Sequence, residues 1–135
     1  MSKTLWTLPV PTAAILGAGA TLDDKGGREV ALSFSYETES DAVCDVALVV
    51  VGVEAYRVTY HHAIEPSALE AYDRFIDRGA TAWLDEVRAN LRRSGDEHTS
   101  LFHAMILLDD GPCYEFICRG HRIESSERPG VKLNP

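Results

Sequence analysis

Cys118 and His103 are the residues of this chain whose types and spacing most suggest covalent catalysis. A four-residue turn at Asp109–Pro112 joins two apolar strands, and that register places His103 directly across from Cys118. Such a pair can act as a nucleophile with its general base. Catalysis also requires an accessible thiolate, an oxyanion hole and a group that orients the imidazole, and no motif supplies these. We keep the pair as the candidate catalytic site and favour a buried cysteine beside a core histidine.

Tyr56, Tyr60 and His62 fall at alternate positions of one apolar strand, so their side chains are expected on one face. Together with His103 and Cys118 they can line a ligand pocket between the sheet and the helices. Aromatic residues in such strands are more often part of the core. These residues are the candidate pocket of a ligand-binding domain.

Two pairs of aspartates, Asp23 with Asp24 and Asp109 with Asp110, fall in predicted turns. Turn aspartates commonly bond to nearby backbone amides, so they are poor evidence for acid–base chemistry. We interpret all four as candidate contacts with a partner protein.

The sequence predicts no metal site and no cofactor. The motifs HxH, HExxH and CxxC are absent, and so are a P-loop and a GxSxG elbow. Gly17 and Gly19 lack the third glycine of a dinucleotide loop.

The chain is acidic, with a formal net charge of −8 over 135 residues. Phosphate-rich nucleic acids and anionic membranes attract basic proteins, so we expect neither as a partner. An acidic surface suits a basic protein partner, or simply keeps the protein soluble. No apolar run approaches the roughly 20 residues that span a bilayer.

The three cysteines, an odd number without CxxC spacing, argue against a disulfide framework and favour the cytoplasm. Secretion is the less favoured alternative. Lys3 precedes an uncharged stretch that ends in a signal-peptidase-like Ala18-Gly19-Ala20, but Pro9 and Pro11 interrupt it.

Strands are predicted before the middle of the chain. Residues 26–38 alternate apolar and polar side chains, and residues 11–22 can pair with them around a turn at 23–27. In that hairpin Leu22 lies near Arg28. Residues 42–62 read as one long strand that bends at Gly52, with Val46–Val51 in the centre of a sheet.

Two helices are predicted next, one following Ser67 and ending at Gly79, the other over 81–95 and ending at Gly95. A hairpin of residues 100–110 and 113–123 follows. The expected fold is α+β: a mainly antiparallel sheet of about five strands, with two consecutive helices inserted before a C-terminal β-hairpin. Residues 1–124 are expected to form one domain and 125–135 a mobile tail.

These features favour a small acidic, non-enzymatic interaction or regulatory protein. One version is an immunity-type inhibitor that masks a basic partner, by analogy of size and charge. Two alternatives stay open: a small-molecule enzyme or ligand-binding domain that uses the Cys–His pair, and a homodimer formed through an edge strand.

Overall fold

The computed structural model describes residues 2–17, 19–60, 63–109 and 112–130. In these residues the chain forms two antiparallel sheets, one helix and two 3-10 turns. The five-stranded sheet has the order β1-β6-β7-β8-β5 and the four-stranded sheet the order β2-β3-β4-β9. The strands are β1 (Lys3–Thr7), β2 (Thr21–Gly26), β3 (Glu29–Glu37), β4 (Ala42–Val51), β5 (Ala55–Thr59), β6 (Arg74–Asp77), β7 (Phe102–Leu107), β8 (Cys113–Cys118) and β9 (Gly120–Pro129). The helix is α1 (Ala82–Ser94), and the 3-10 turns are Thr12–Ala14 and Pro66–Ala71.

The main core lies between the two sheets. Alternate residues of β3, Val30, Leu32 and Phe34, are buried there against Phe75 and Phe116 of the five-stranded sheet. This agrees with the predicted half-buried strand, because one face of β3 packs on the core and the other carries polar residues. The structure is thus α+β in the broad sense, with more strands than the sequence predicted.

The five-stranded sheet is covered on its second face as well. Leu84 of α1 packs on Leu101 and Ile117, and the turn Pro66–Ala71 packs its alanines on Met105 and Leu107. The two central strands β7 and β8 are therefore buried on both faces, and any polar side chain on them needs an internal partner.

The predicted bend at Gly52 is present and moves the chain from one sheet to the other. β4 belongs to the four-stranded sheet and β5 to the five-stranded one. Gly52 has a φ of 62°, and a Cβ atom at this position would lie 2.8 Å from Cβ of Arg119. The corner therefore requires glycine, because of its positive φ and because the side chain of Arg119 leaves no room for a Cβ atom.

The first predicted helix is wrong, and the second is confirmed. Residues expected to be helical up to Gly79 form a short 3-10 turn and then β6. Phe75 and Ile76 are adjacent and both buried, which a strand between β1 and β7 achieves by sending them to opposite faces. Helix α1 has the predicted end at Gly95 and is capped by Thr81.

The N-terminal hairpin forms in a different register from the predicted one. Leu22 pairs with Leu32 rather than lying near Arg28. Asp23 and Asp24 belong to β2 instead of the turn, which is formed by Gly27 and Arg28, both with positive φ.

The end of the described chain also differs from the prediction. Residues 125–129, assigned to a mobile tail, continue β9 and pair with β4 up to Ala42–Pro129. Their polar character reflects an edge strand, whose side chains are largely exposed. Residues 131–135 lie outside the described part of the chain. No helix among the described residues combines the length and apolar composition that crossing a bilayer requires.

Candidate functional site

His103 and Cys118 lie on opposite faces of the five-stranded sheet. The observed hairpin pairs His103 with Ile117 and Phe102 with Cys118, one residue away from the predicted register. A slip of one residue exchanges the faces of a strand. Cys118 accordingly belongs to the core between the sheets, whereas His103 faces α1. The predicted nucleophile and base are not brought together.

The cysteines are buried as well as separated from a base. Cys44, Cys113 and Cys118 are all free and buried. Burial raises the pKa of Cys118 to about 12 and also that of Cys113 to about 12, with the charge of Glu115 contributing at Cys113. A thiol needs access and a lowered pKa to act as a nucleophile near neutral pH, and these two have neither.

His103 instead forms a buried hydrogen-bonded chain with Glu115 and Thr81. Its Nε2 lies 2.8 Å from Oε1 of Glu115, and its Nδ1 lies 2.8 Å from Oγ1 of Thr81. An ionised carboxylate can only accept, so Nε2 carries a proton and donates it. The Thr81 hydroxyl also accepts from the amide of Leu84, which ties the start of α1 to the sheet.

Arg57 completes this cluster at the protein surface. Its Nε and Nη2 donate to the two oxygens of Glu115 at 2.8 and 3.0 Å, and its guanidinium lies 4.2 Å from the centre of the Trp83 ring. Burial alone raises the pKa of Glu115, but the hydrogen bonds from His103 and Arg57 outweigh it and bring the pKa to about 2. Glu115 is therefore a charged, fully bonded carboxylate.

The sequence missed four members of this cluster: Arg57, Thr81, Trp83 and Glu115. One signal was present, because Glu115 is the charged residue inside the apolar strand CYEFIC. A charge in a strand covered on both faces needs a partner. The identity of that partner depends on the register of β7 with β8 and on the position of α1, and neither can be predicted from the residues next to Glu115.

The predicted aromatic pocket is not assembled by the described residues. Tyr56 pairs with Phe116 and stacks on it with ring centres 6.3 Å apart, on the face opposite His103. Tyr60 is 73% exposed after the end of β5. His62 lies outside the described residues.

A small pocket of about 210 Å³ opens beside Arg57, between the sheet and the turn Pro66–Ala71. Its polar lining is Arg57, Thr59, Glu65 and Glu115, and its apolar lining is Ala63, Ile64, Ala68, Met105 and Cys113.

A larger apolar groove of about 400 Å³, which we call the Leu69 groove, lies at the end of β7. It is lined by Ile64, Glu65, Pro66, Leu69, Tyr72, Leu107, Leu108 and Asp109. Leu69 is 64% exposed and Tyr72 43% exposed. Only two of the lining residues are charged, and both are acidic.

The predicted partner-binding aspartates occupy two different sheets. Asp23 and Asp24 lie on β2, an edge strand of the four-stranded sheet, where Asp24 accepts a 3.0 Å bond from the amide of Gly26. Asp109 follows β7 and lines the Leu69 groove. Asp110 lies outside the described residues.

In the part of the chain that the structure describes, no three His, Cys, Asp or Glu side chains are arranged to hold a metal ion. Comparison of the chain with protein-family models, with curated proteins and with solved structures gives no match.

Proposed function

We propose that this protein is a small acidic, non-enzymatic interaction protein that binds a basic and apolar segment of another protein in the Leu69 groove. The observation that carries the proposal is the lining of that groove, in which exposed apolar side chains are flanked by acidic residues and by no basic one.

Exposed apolar side chains form part of this groove. Among the described residues six large apolar side chains are exposed, and two of them, Leu69 and Tyr72, line the groove together with Ile64, Leu107 and Leu108. Scattered apolar residues on a surface need no explanation, but a contiguous patch commonly marks a binding site. Tyrosine is also enriched at protein interfaces.

The charges of the groove favour a basic occupant. Glu65 and Asp109 lie among the apolar residues of its lining, and the whole chain carries a net charge of −8. A segment with lysine or arginine beside leucine- or phenylalanine-like side chains complements both features. An immunity-type inhibitor that covers a basic surface of a toxic enzyme is one version of this function.

The enzyme alternative required Cys118 and His103 to lie side by side, and they do not. Cys118 and His103 face opposite ways, and both ring nitrogens of His103 are used by Glu115 and Thr81. The free cysteines agree with a reducing compartment, so the cytoplasm remains the proposed location.

A homodimer through an edge strand remains an alternative because β9, ten residues long, is an edge strand of the four-stranded sheet among the described residues. Charged side chains such as Arg122, Glu124 and Arg128 occupy that strand, and charged edges disfavour pairing. Sedimentation at several concentrations tests this alternative: a constant monomer mass argues against it.

A random peptide library displayed on phage tests the proposed function. We expect the wild-type protein to enrich peptides that combine basic and apolar residues, and the Leu69→Asp variant to lose their binding. The matched control is Leu16→Asp, because Leu16 is also an exposed leucine, at 38%, but lies in the loop before β2. Enrichment of acidic peptides, or equal binding by the two variants, would contradict the proposal.

A further inference from the structure

Arg57 is fixed in one orientation by its neighbours. Trp83 covers one face of its guanidinium, and Glu115 accepts hydrogen bonds from Nε and Nη2. Glu115 is in turn fixed by His103, and His103 by Thr81 at the start of α1. The orientation of Arg57 is thus set by a chain of side chains that reaches into the covered face of the sheet. An arginine fixed in this way loses little conformational entropy when it binds a further ligand.

Part of this arginine remains available for hydrogen bonding. Within the described chain Nη1 of Arg57 makes no hydrogen bond, and the Thr59 hydroxyl makes none either. Both residues line the small pocket of about 210 Å³. They lie two positions apart on β5, so their side chains share one face of the sheet. Two unused donors that line one cavity can bond to the oxygens of a carboxylate.

The remaining lining limits what the ligand can be. Met105, Ala68 and Ile64 give the pocket an apolar side, which suits a short hydrocarbon body. Glu65 lies on the same lining, and its charge is one of the groups that raise the pKa of Arg57, after the larger effect of the hydrogen bonds to Glu115. Arg57 compensates Glu115, so Glu65 leaves the lining with a net negative charge; it weakens the binding of any anion, and of a dianion more than of a monoanion. The volume has room for about seven water-sized groups at ~30 Å³ each.

We propose that this pocket is a binding site for a small organic monocarboxylate with an apolar body. The carboxylate accepts hydrogen bonds from Nη1 of Arg57 and from the Thr59 hydroxyl, and the hydrocarbon packs on Met105, Ala68 and Ile64. The site adjoins the Leu69 groove of the proposed protein-binding function, because Ile64 and Glu65 line both, but its polar contacts with Arg57 and Thr59 lie outside that groove.

The probe for this site is 3-methylbutanoate, with 3-methylbutanamide as its neutral counterpart and succinate as a dianion. A titration of the folded protein is followed by NMR through the Arg57 Nε–H signal and the Met105 methyl signal. We expect saturable shifts with 3-methylbutanoate, with binding at least about tenfold weaker for the amide because the charge-assisted bonds are lost. Succinate is expected to bind more weakly than the monocarboxylate.

Three variants separate ligand binding from structural roles. Arg57→Lys keeps a positive charge beside Glu115 but removes the planar donors, and Thr59→Val removes the hydroxyl with little change of shape. Both are expected to weaken binding severalfold or more. Arg128→Lys is the control, since Arg128 pairs in a similar way with Asp45 on the other sheet. Shifts that do not saturate, or equal binding by wild type and the Arg57→Lys and Thr59→Val variants, would overturn the proposal.

Discussion

His103 and Glu115 are joined by a contact of 2.8 Å between Nε2 and Oε1 underneath helix α1, with side chains only 2% and 5% exposed. The pair links β7 to β8, and Thr81 extends it to the first turn of α1. Arg57 extends it in the other direction to the edge strand β5. A buried charge is costly unless it is paired and fully bonded, so Glu115 depends on these partners. Because Thr81 bonds both to His103 and to the amide of Leu84, the cluster also connects the start of α1 to the sheet.

Removing the imidazole should destabilise the protein. His103→Leu leaves Glu115 and Thr81 each without one buried partner, and a loss of about 1 to 3 kcal/mol in the free energy of unfolding is expected. Urea denaturation measures it. His98→Leu serves as the control because His98 is partly exposed and its ring makes no hydrogen bond with any of the described residues. Equal stability of the two variants would mean that the buried contact contributes nothing.

Glu115 should make the protein sensitive to acid. Its pKa is lowered from 4.5 to about 2 in the folded protein, so its contribution is fully present above about pH 5 and is lost as the pH falls toward 2. The contribution is at most about 3 kcal/mol. The free energy of unfolding should therefore fall more steeply between pH 5 and pH 2 in the wild type than in Glu115→Gln. Parallel pH profiles would show that Glu115 gains nothing from its partners.

The thiols should be unreactive in the folded protein. Burial holds the pKa of Cys113 and of Cys118 at about 12, and Cys44 is buried too. Iodoacetamide at pH 8 should leave all three unmodified over the time in which free cysteine reacts completely, and should modify all three in denaturant. Mass spectrometry counts the additions. Rapid native alkylation at Cys118 would restore the enzyme alternative.

The corner at Gly52 should not tolerate a side chain. Gly52→Ala combines a positive φ with a clash against Arg119, for an expected loss of about 3 kcal/mol. Gly27→Ala isolates the backbone effect, since Gly27 has a φ of 60° with nothing within 4 Å of the added Cβ, and about 1 kcal/mol is expected there. Thermal unfolding compares the two. A Gly52→Ala protein as stable as Gly27→Ala would contradict the described corner.

Local signals explain what the sequence predicted correctly. Helix α1 ends at Gly95, whose φ is 80°, and carries Arg92 and Arg93 in its last turn. These are features of a few neighbouring residues, and they depend little on the rest of the chain. The central position of Val46–Val51 is also a local signal, because such a long β-branched run must be covered on both faces.

Non-local packing explains what the sequence could not predict. The stripe of Phe75 and Ile76 fits a helix as well as a strand, and only the neighbouring strands β1 and β7 decide between them. In the C-terminal hairpin Cys113 pairs with Leu107, one residue before the Leu108 that the predicted register places opposite it. That single residue moved His103 away from Cys118 and to the same face as Glu115.

The most direct test of the proposed function is to locate a bound peptide on the protein. A peptide enriched from the display library is titrated into methyl-labelled protein and followed by NMR. We expect the largest shifts at Ile64, Leu69, Leu107 and Leu108, and affinity that falls as salt is raised because Glu65 and Asp109 contribute to it. Shifts centred instead on the four-stranded sheet, at Val43 and Val49 for example, would contradict the account.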